Sequence, residues 1–522
     1  MTVGSRTSAG GAVAPREQAL MERTDVSSVK LQSILDELHR PVVDGEVSRS
    51  VSDITYDSRA VTPGSLFVAV QGMETDGNRY AEDAVRRGAV AVLSAAERVA
   101  GTDAATWIRV DDDRRAMAYA AAAFHGHPER QLVTVGITGT NGKTTTAFLL
   151  ESILEASGRP TGLVGTVCFR WPGHQEQAPR TTPESVDISR FMRCMVEAGC
   201  GHAILEASSH ALALHRVEAV RFQVGVFTNL THDHLDFHRD MESYFAAKAT
   251  LFRSLPANAS AVLNANDARS TELRRLTAAS VLTYGDAAGA DVRLLEATYE
   301  NSGTRARLAT PAGELELYCH LAGPRNLENV MAAAAAALSL DVNLEAITIG
   351  VEALHSVPGR WERIDCGQPF QVVVDFAHTD DALRKLLAAV RALQPARIIT
   401  VFGCGGDRDR SKRSLMGEAA ATGSDVVILS SDNPRGEDPH AIADHTQRGI
   451  DAAGADIEMH RILDRGEAIR FAIELARPGD TVVIAGKGHE NVQIIRGRSF
   501  SFDDREQCRS ALERRFGGGD RG

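Results

Sequence analysis

The 522-residue sequence has no run approaching the ~20 apolar residues needed to span a bilayer, so no membrane insertion is expected. It also lacks a surplus of positive charge. A formal net charge of −12 at pH 7 argues against nonspecific binding to nucleic acid or anionic membrane, and a phosphate-rich substrate must then be met by local basic groups. Cysteine is sparse and unpatterned: seven residues, at 168, 194, 200, 319, 366, 404 and 508, an odd number without C-x-x-C spacing. Neither a disulfide framework nor a zinc site is suggested, and reduced thiols in the cytoplasm are expected. Residues 1–28 are small, polar and charged, without the apolar core of a signal peptide, and are read as a mobile tail. What remains is the composition of a globular protein, 43% hydrophobic and 24% charged, on a chain too long for one ordinary core.

The chain is organised around Val133-Thr-Val-Gly-Ile-Thr-Gly-Thr-Asn-Gly-Lys-Thr-Thr-Thr146. An apolar, β-branched run empties into a turn with Gly136, Gly139 and Gly142, and a helix begins at Lys143. Strand, glycine loop and helix N-terminus together aim backbone N–H groups and the positive end of a helix dipole at one point. Lys143 adds a point charge for the outer phosphates of ATP, and Thr144 a hydroxyl suited to Mg²⁺. Gly139, Thr140, Asn141, Gly142, Lys143, Thr144 and Thr145 are the expected phosphate cradle, in the spacing G-x-x-G-K-T-T.

Around it the pattern is α/β throughout. A small N-terminal α/β domain is expected over 29–126, with apolar runs at 65–70, 89–93 and 106–110 alternating with helices. A central domain with a parallel-type sheet follows over 127–356, with strands at 161–167, 202–207, 224–230 and 261–264 and an alanine-rich helix at 326–339. Over 357–522 a Rossmann-like domain restarts with parallel-type runs at 371–375, 397–402, 425–430 and 481–485. Each of these last four ends in a charged or glycine loop, the edge of a doubly wound sheet where ligands bind.

Mg²⁺ favours oxygen ligands, retained waters and substrate phosphates. Thr144 offers one oxygen and Glu206, at the end of its strand, a second. The segment Asn229-Leu-Thr-His-Asp-His-Leu-Asp-Phe-His238 concentrates His and Asp. Without context that segment also fits zinc or iron, but the neighbouring ATP loop favours Mg²⁺. Lys248, on the helix carrying Tyr244-Phe-Ala-Ala-Lys248, reads by composition as a snorkelling surface lysine.

The motifs Gly139-Thr-Asn-Gly-Lys-Thr-Thr145, Thr181-Thr-Pro183, Glu206-Ala-Ser-Ser-His210, Asp233-His-Leu-Asp-Phe-His238, Gly405-Gly-Asp-Arg-Asp-Arg410, Asp432-Asn-Pro-Arg435 and Gly486-Lys-Gly-His-Glu490 occur in that order. Through them the chain resembles the Mur ligases, ATP-dependent amide-forming enzymes of peptidoglycan precursor synthesis. The resemblance runs from about residue 31 to 506. It implies three domains, for a uridine nucleotide, for ATP and for an incoming amino acid, in a monomeric cytoplasmic enzyme. It implies that Tyr56, Ser58, Met73, Glu74 and Thr75 hold the uridine end of UDP-N-acetylmuramoyl-L-alanyl-D-glutamate, the UDP-MurNAc-dipeptide, while Thr181, Thr182, Ser208 and Arg216 hold its muramoyl-dipeptide. It further implies that Glu206 and His234 bind Mg²⁺, and that Asn326, Asn329, Arg360, Asp375 and His378 surround the nucleotide. Lys248 would be carbamylated and help hold a second Mg²⁺. Two loop positions depart from the family's usual Tyr-Ala-His-Thr-Pro-Asp, namely Phe376 and Asp380, and Ala207 replaces valine.

Relatives that use the same ATPase core on another carboxylate, such as folylpolyglutamate synthase or the ligase adding D-alanyl-D-alanine, are disfavoured by the last two motifs. A non-catalytic binding or scaffold protein is disfavoured by intact Lys143, Glu206, His234 and Lys248. The amino acid is read from Arg435. Meso-diaminopimelate carries a distal carboxylate that lysine lacks, and a guanidinium fork matches a carboxylate bidentately. Arg408 is expected in the same pocket with Asp432, Asn433 and Pro434, and Glu490 with the Gly486 backbone meets the distal amine and carboxylate. The plainer alternative is that Arg435 pairs with Glu437 or Asp438 at a loop surface.

Overall fold

The computed structural model describes residues 28–72, 75–300 and 302–516. The expected tail at 1–28, except Ser28, and the candidate residues Met73 and Glu74 lie outside the described residues. The chain separates into two compact units, one ending at Gly126 and one starting at His127.

The first unit carries a five-stranded sheet in the order Val42–Asp44, Thr106–Arg109, Ala91–Ser94, Ser65–Val68, Asp53–Thr55. All pairs are parallel except the first. Helix Asp113–Phe124 buries its alanine face and stops where Gly126 and His127 take left-handed backbone, φ 70° and 55°. At the end of Asp53–Thr55, Asp57 caps a short helical turn by accepting Arg59 N (2.9 Å), with Tyr56 exposed beside it. Thr75 O accepts Gly72 N at 2.9 Å.

The second unit holds two sheets. Eleven strands form the larger one among the described residues. Its parallel centre, in the order Thr161–Val164, His202–Glu206, Val133–Thr138, Val224–Phe227, Ser260–Asn264, Ser280–Gly285, reads as near-continuous apolar runs because helices cover both faces. Cys168–Trp171 and His174–Gln177 extend one edge antiparallel; at the other, Val292–Glu300 joins Ser280–Gly285 in parallel, and Gly303–Thr310 and Gly313–Cys319 follow antiparallel. Helix Pro324–Leu338 lies wholly buried along its alanine run. The smaller sheet has the order Glu362–Arg363, Gln371–Asp375, Thr481–Ala485, Ile398–Phe402, Val426–Leu429, Glu458–Arg461. Its pairs are parallel except the first. A separate hairpin, Val492–Ile495 with Arg498–Ser501, follows the last central strand.

Candidate active site

The phosphate loop leaves the end of Val133–Thr138 and enters helix Lys143–Ala156. Gly139 has φ 149°, and a Cβ there would lie 1.8 Å from Thr228 Oγ1; Gly142 has φ 89°, and its Cβ would lie 2.4 Å from Asn329 Oδ1. Only glycine fits either place. The neighbouring strand's exit braces the loop: Thr140 N donates to Asn229 O (2.8 Å), Asn141 N to Asn229 Oδ1 (3.0 Å) and Thr228 Oγ1 to Asn141 O (2.6 Å). Lys143 Nζ donates to Gly139 O (2.8 Å) and Thr140 O (2.9 Å). Burial pushes its amine below the usual lysine range, with Glu206 acting against that shift. Thr145 is buried in the first helical turn.

Glu206 is fully buried at the end of His202–Glu206. Its Oε2 accepts Thr144 Oγ1 (2.9 Å) and Thr166 Oγ1 (2.8 Å), and its Oε1 accepts Thr166 N (2.8 Å). Adjacent oxygens on an octahedral Mg²⁺ with 2.0–2.1 Å bonds lie about 2.9 Å apart, so the Thr144–Glu206 pair fits that ion. Among the described residues no group of three or more His, Cys, Asp or Glu side chains is arranged to hold a metal ion, and the donors here are oxygens, the type Mg²⁺ takes beside phosphate and water. His234, at left-handed φ 55°, stands edge-on to His210 with ring centroids 4.8 Å apart. Burial holds its imidazole below the usual histidine range, opposed by Asp233.

Next to Glu206 a polar knot gathers four candidate residues. Thr182 Oγ1 donates to Glu206 O (2.6 Å) and lies 3.1 Å from Ser208 Oγ. Arg216 Nη1 donates to Thr182 O (3.0 Å), and its Nη2 pairs with Glu184 at 2.9 Å. Thr181 Oγ1 accepts Thr166 Oγ1 at 3.1 Å. Thr166 and Glu184 were not among the expected residues. Thr166 sits two residues past the apolar strand Thr161–Val164, on the side where Glu206 ends its own strand, and that was its signal.

From the smaller sheet, Arg360 Nη2 reaches Thr144 Oγ1 (3.3 Å) while its guanidinium lies 4.5 Å from the Phe376 ring centroid. The departure from tyrosine therefore keeps the aromatic platform. Asp375 fixes the turn by accepting Trp361 N (2.7 Å) and Ala377 N (2.8 Å). His378 Nδ1 bonds Phe376 O at 2.8 Å. Asp380 opens helix Asp380–Ala392, which Thr379 caps by accepting Ala382 N (3.2 Å). An acid in the first turn suits the helix dipole, and the family's proline suits the same position. Asn326 Nδ2 donates to Ala322 O (2.9 Å) and Asn329 packs against Gly142. Lys412, not expected, places Nζ 3.8 Å from Asp233 Oδ1.

The other strand ends of the smaller sheet converge on Arg435. Its backbone is left-handed, φ 52°, and its Nη1 donates to Gly406 O (2.8 Å). Arg408, exposed, flanks the same Gly405 backbone. Arg435 makes no ion pair with Glu437 or Asp438 among the described residues: Glu437 is bonded by Arg413 (2.8 Å), Arg410 (3.2 Å) and the Asp407 N–H (2.6 Å), and Asp438 Oδ1 accepts His440 N (3.1 Å). Asp432 is buried and close to Gly486. Asn433 Nδ2 donates to Glu490 Oε2 at 2.8 Å.

Lys248 is a correction. It does not snorkel: it is 1% exposed, donates to Gly139 O (2.8 Å) and lies 4.4 Å from the Tyr244 ring centroid. Burial, with Lys143 facing it, pushes its amine well below the usual lysine range. The helix spacing carried the signal, since 244, 245, 248, 249, 251 and 252 share one face and all are buried.

Comparison with known proteins agrees with this arrangement along the chain. Models of the Mur ligase family catalytic domain, the Mur ligase middle domain and the Mur ligase glutamate ligase domain match residues 50–131, 137–337 and 359–488. Proteins named UDP-N-acetylmuramoyl-L-alanyl-D-glutamate--2,6-diaminopimelate ligase from Solibacter usitatus and Gloeobacter violaceus are each 47% identical. They match over 94% and 89% of this chain and 97% and 94% of their own. A solved structure of a UDP-N-acetylmuramoyl-L-alanyl-D-glutamate--2,6-diaminopimelate ligase is 34% identical, with a TM-score of 0.66, covering 94% of this chain and 99% of that one. With the phosphate loop, the Glu206 knot and the Arg435 strand ends all inside the matched regions, the chain belongs to the Mur ligase family.

Proposed function

We propose that this chain is an ATP-dependent ligase that joins meso-diaminopimelate to the D-glutamyl γ-carboxylate of UDP-N-acetylmuramoyl-L-alanyl-D-glutamate, giving the tripeptide, ADP and phosphate. The observation that carries the choice of amino acid is the Arg435 guanidinium. It stands beside Arg408, makes one hydrogen bond to Gly406 O, and leaves its other donors open among the described residues. A carboxylate on the far end of the amino acid completes it bidentately. Lysine would leave it unpaired, and sites built around such a contact reject the analogue by roughly 10⁴-fold.

A carboxylate is a poor acyl donor, so the substrate's γ-carboxylate oxygen attacks the γ-phosphorus of ATP, giving an acyl phosphate and ADP. Lys143 and the loop N–H groups hold the phosphates where charge moves. Thr144, Glu206 and His234 would hold Mg²⁺, which when bound neutralises phosphate charge. Thr182, Ser208 and Arg216 orient the muramoyl-dipeptide, and Tyr56, Ser58 and Thr75 the uridine end. Arg360, Asp375, His378, Asn326 and Asn329 close around the nucleotide. The amine of the amino acid then attacks the acyl carbon, the tetrahedral intermediate collapses and phosphate leaves. Water excluded from this space does not hydrolyse the acyl phosphate. Lys248, whose buried amine is pushed well below the usual lysine range, takes up CO₂ as a carbamate in this reading. Seven free cysteines, five of them buried, suit a reducing cytoplasm, and the reading is of a monomer with 29–126 for the uridine nucleotide, 127–356 for ATP and 357–522 for the amino acid.

The test is competition. Protein, ATP, Mg²⁺ and the UDP-muramoyl-dipeptide are incubated with equal concentrations of meso-diaminopimelate and L-lysine, and the product is weighed by mass spectrometry. The diaminopimelate tripeptide is expected; preferential incorporation of L-lysine refutes the assignment.

A further inference from the structure

Lys487 follows the strand Thr481–Ala485, between Gly486 and Gly488, and is fully buried. Its Nζ donates to Val492 O (2.6 Å), Glu490 Oε2 (2.9 Å) and Asn433 Oδ1 (3.2 Å). An ammonium has three donors, and these three bonds use them all. Lys487 therefore has nothing left to offer a ligand, and a cation taken out of water at such cost is held for what it ties together.

Its three legs end on three different loops. Asn433 belongs to the loop that carries Arg435, Glu490 to the loop after the strand, and Val492 to the start of the hairpin. Asn433 closes the figure: Nδ2 donates to Glu490 Oε2, and Oδ1 also accepts Ile494 N (2.9 Å). Glu490 Oε2 thus receives two donors, while Oε1 receives none among the described residues. The hairpin in turn grips the Arg435 backbone. Arg435 N donates to Ile494 O (2.9 Å) and Arg496 N to Arg435 O (2.6 Å), which holds a non-glycine residue at φ 52° where it would not otherwise rest. Gln493 Nε2 adds a bond to Asp432 O (2.7 Å).

We propose that Lys487 is a positioning residue for the amino-acid site: it touches no substrate, but sets the free Glu490 oxygen and the Arg435 guanidinium in the relation that reads an amino acid bearing both an ammonium and a carboxylate at its far end. Glu490 meets the ammonium and Arg435 the carboxylate, and neither is aimed by its own stem alone. The inference rests on the ligase reading above.

The experiment compares the unmodified protein with Lys487→Met, which keeps length and apolar bulk but removes the donors. Initial rates are measured against each substrate in turn, with melting temperature recorded. The KM for meso-diaminopimelate is expected to rise about 10- to 100-fold, with KM for ATP and for the UDP-muramoyl-dipeptide within about twofold and kcat little changed. Preference for diaminopimelate over L-lysine falls with it. In a Glu490→Gln background, Lys487→Met adds less than about threefold, because the two act through one contact. If Lys487→Met does not fold, Lys487→Gln, which is shorter and cannot span all three bonds, carries the identical expectation. An unchanged KM for diaminopimelate, an equal rise in the KM for ATP, or full additivity with Glu490→Gln overturns the positioning role while leaving the ligase reading standing. Failure of the unmodified protein to join diaminopimelate overturns both.

Discussion

A lysine amine stripped of water beside a second lysine is a base in want of a partner. Lys248 has the carbonyl of Gly139 and the face of Tyr244 but, among the described residues, no carboxylate within bonding reach, and its amine is held well below the usual range by burial, with Lys143 contributing. A neutral amine adds CO₂ by forming an N–C bond and releasing a proton, which replaces a penalised cation with an anion facing Lys143. Protein equilibrated with ¹³C-bicarbonate is expected to show a carbamate carbon signal that Lys248→Met lacks, and activity should fall in CO₂-depleted buffer. Absence of the signal together with full activity of Lys248→Met would sink the idea. At this scale the sequence was most legible where motifs far apart in the chain meet in the fold, as Thr144 meets Glu206. It was least legible where a residue acts through another. Thr166, Lys412 and Lys487 are ordinary in composition, and only the packing of separate strand ends shows what they tie.

The helix that begins at Lys143 is fixed from behind by a helix contact with no room in it. On Leu344–Ala353, a Cβ at Gly350 would lie 2.4 Å from Ile153 Cα and 2.7 Å from Ile153 N, and Ser152 Oγ donates to Gly350 O at 2.6 Å. Gly350→Ala must push the two helices apart, and overpacking of this kind costs about 1–3 kcal/mol. Urea unfolding should register the loss as a lower midpoint with unchanged slope; an unaltered midpoint would contradict the contact. Strands of the parallel centres were readable because both faces are covered and the runs are apolar. The hairpin Val492–Ile495 with Arg498–Ser501 was not, since all four residues of its second strand are exposed and no alternation marks it; its place comes from pairing with Arg435. The edge extension at 292–319 was missed for a related reason: Val292–Glu300 is mostly half-exposed, with charges breaking the period.

At the scale of the whole molecule, acid should unfold this protein earlier than its carboxylates require. Burial pushes His489 down to about 3 and His238 down to about 4, whereas an unfolded histidine titrates near 6.5. As pH falls below about 6.5 the unfolded chain takes up these protons first, so each histidine costs stability by up to about 1.4 kcal/mol per pH unit until its folded value is reached. Asp233 and Glu437, both held down to about 2, matter only below about 4.5, where unfolded carboxylates begin to protonate. Melting temperature is therefore expected to drop between pH 6.5 and 4.5, and to drop less for His489→Gln; parallel curves for the two proteins would disprove the account. One division seen in the fold reaches further. The groups proposed above to meet the incoming amine, at 405–410, 432–435 and 486–490, all hang from the smaller sheet and its hairpin, while Lys143, Thr144 and Glu206, proposed to handle phosphate and Mg²⁺, hang from the larger. Activation of the acid and choice of the amine are thus separately heritable: drift in three loops is enough to re-address the ligase to a new building block, and the machinery that handles phosphate need not change when it happens.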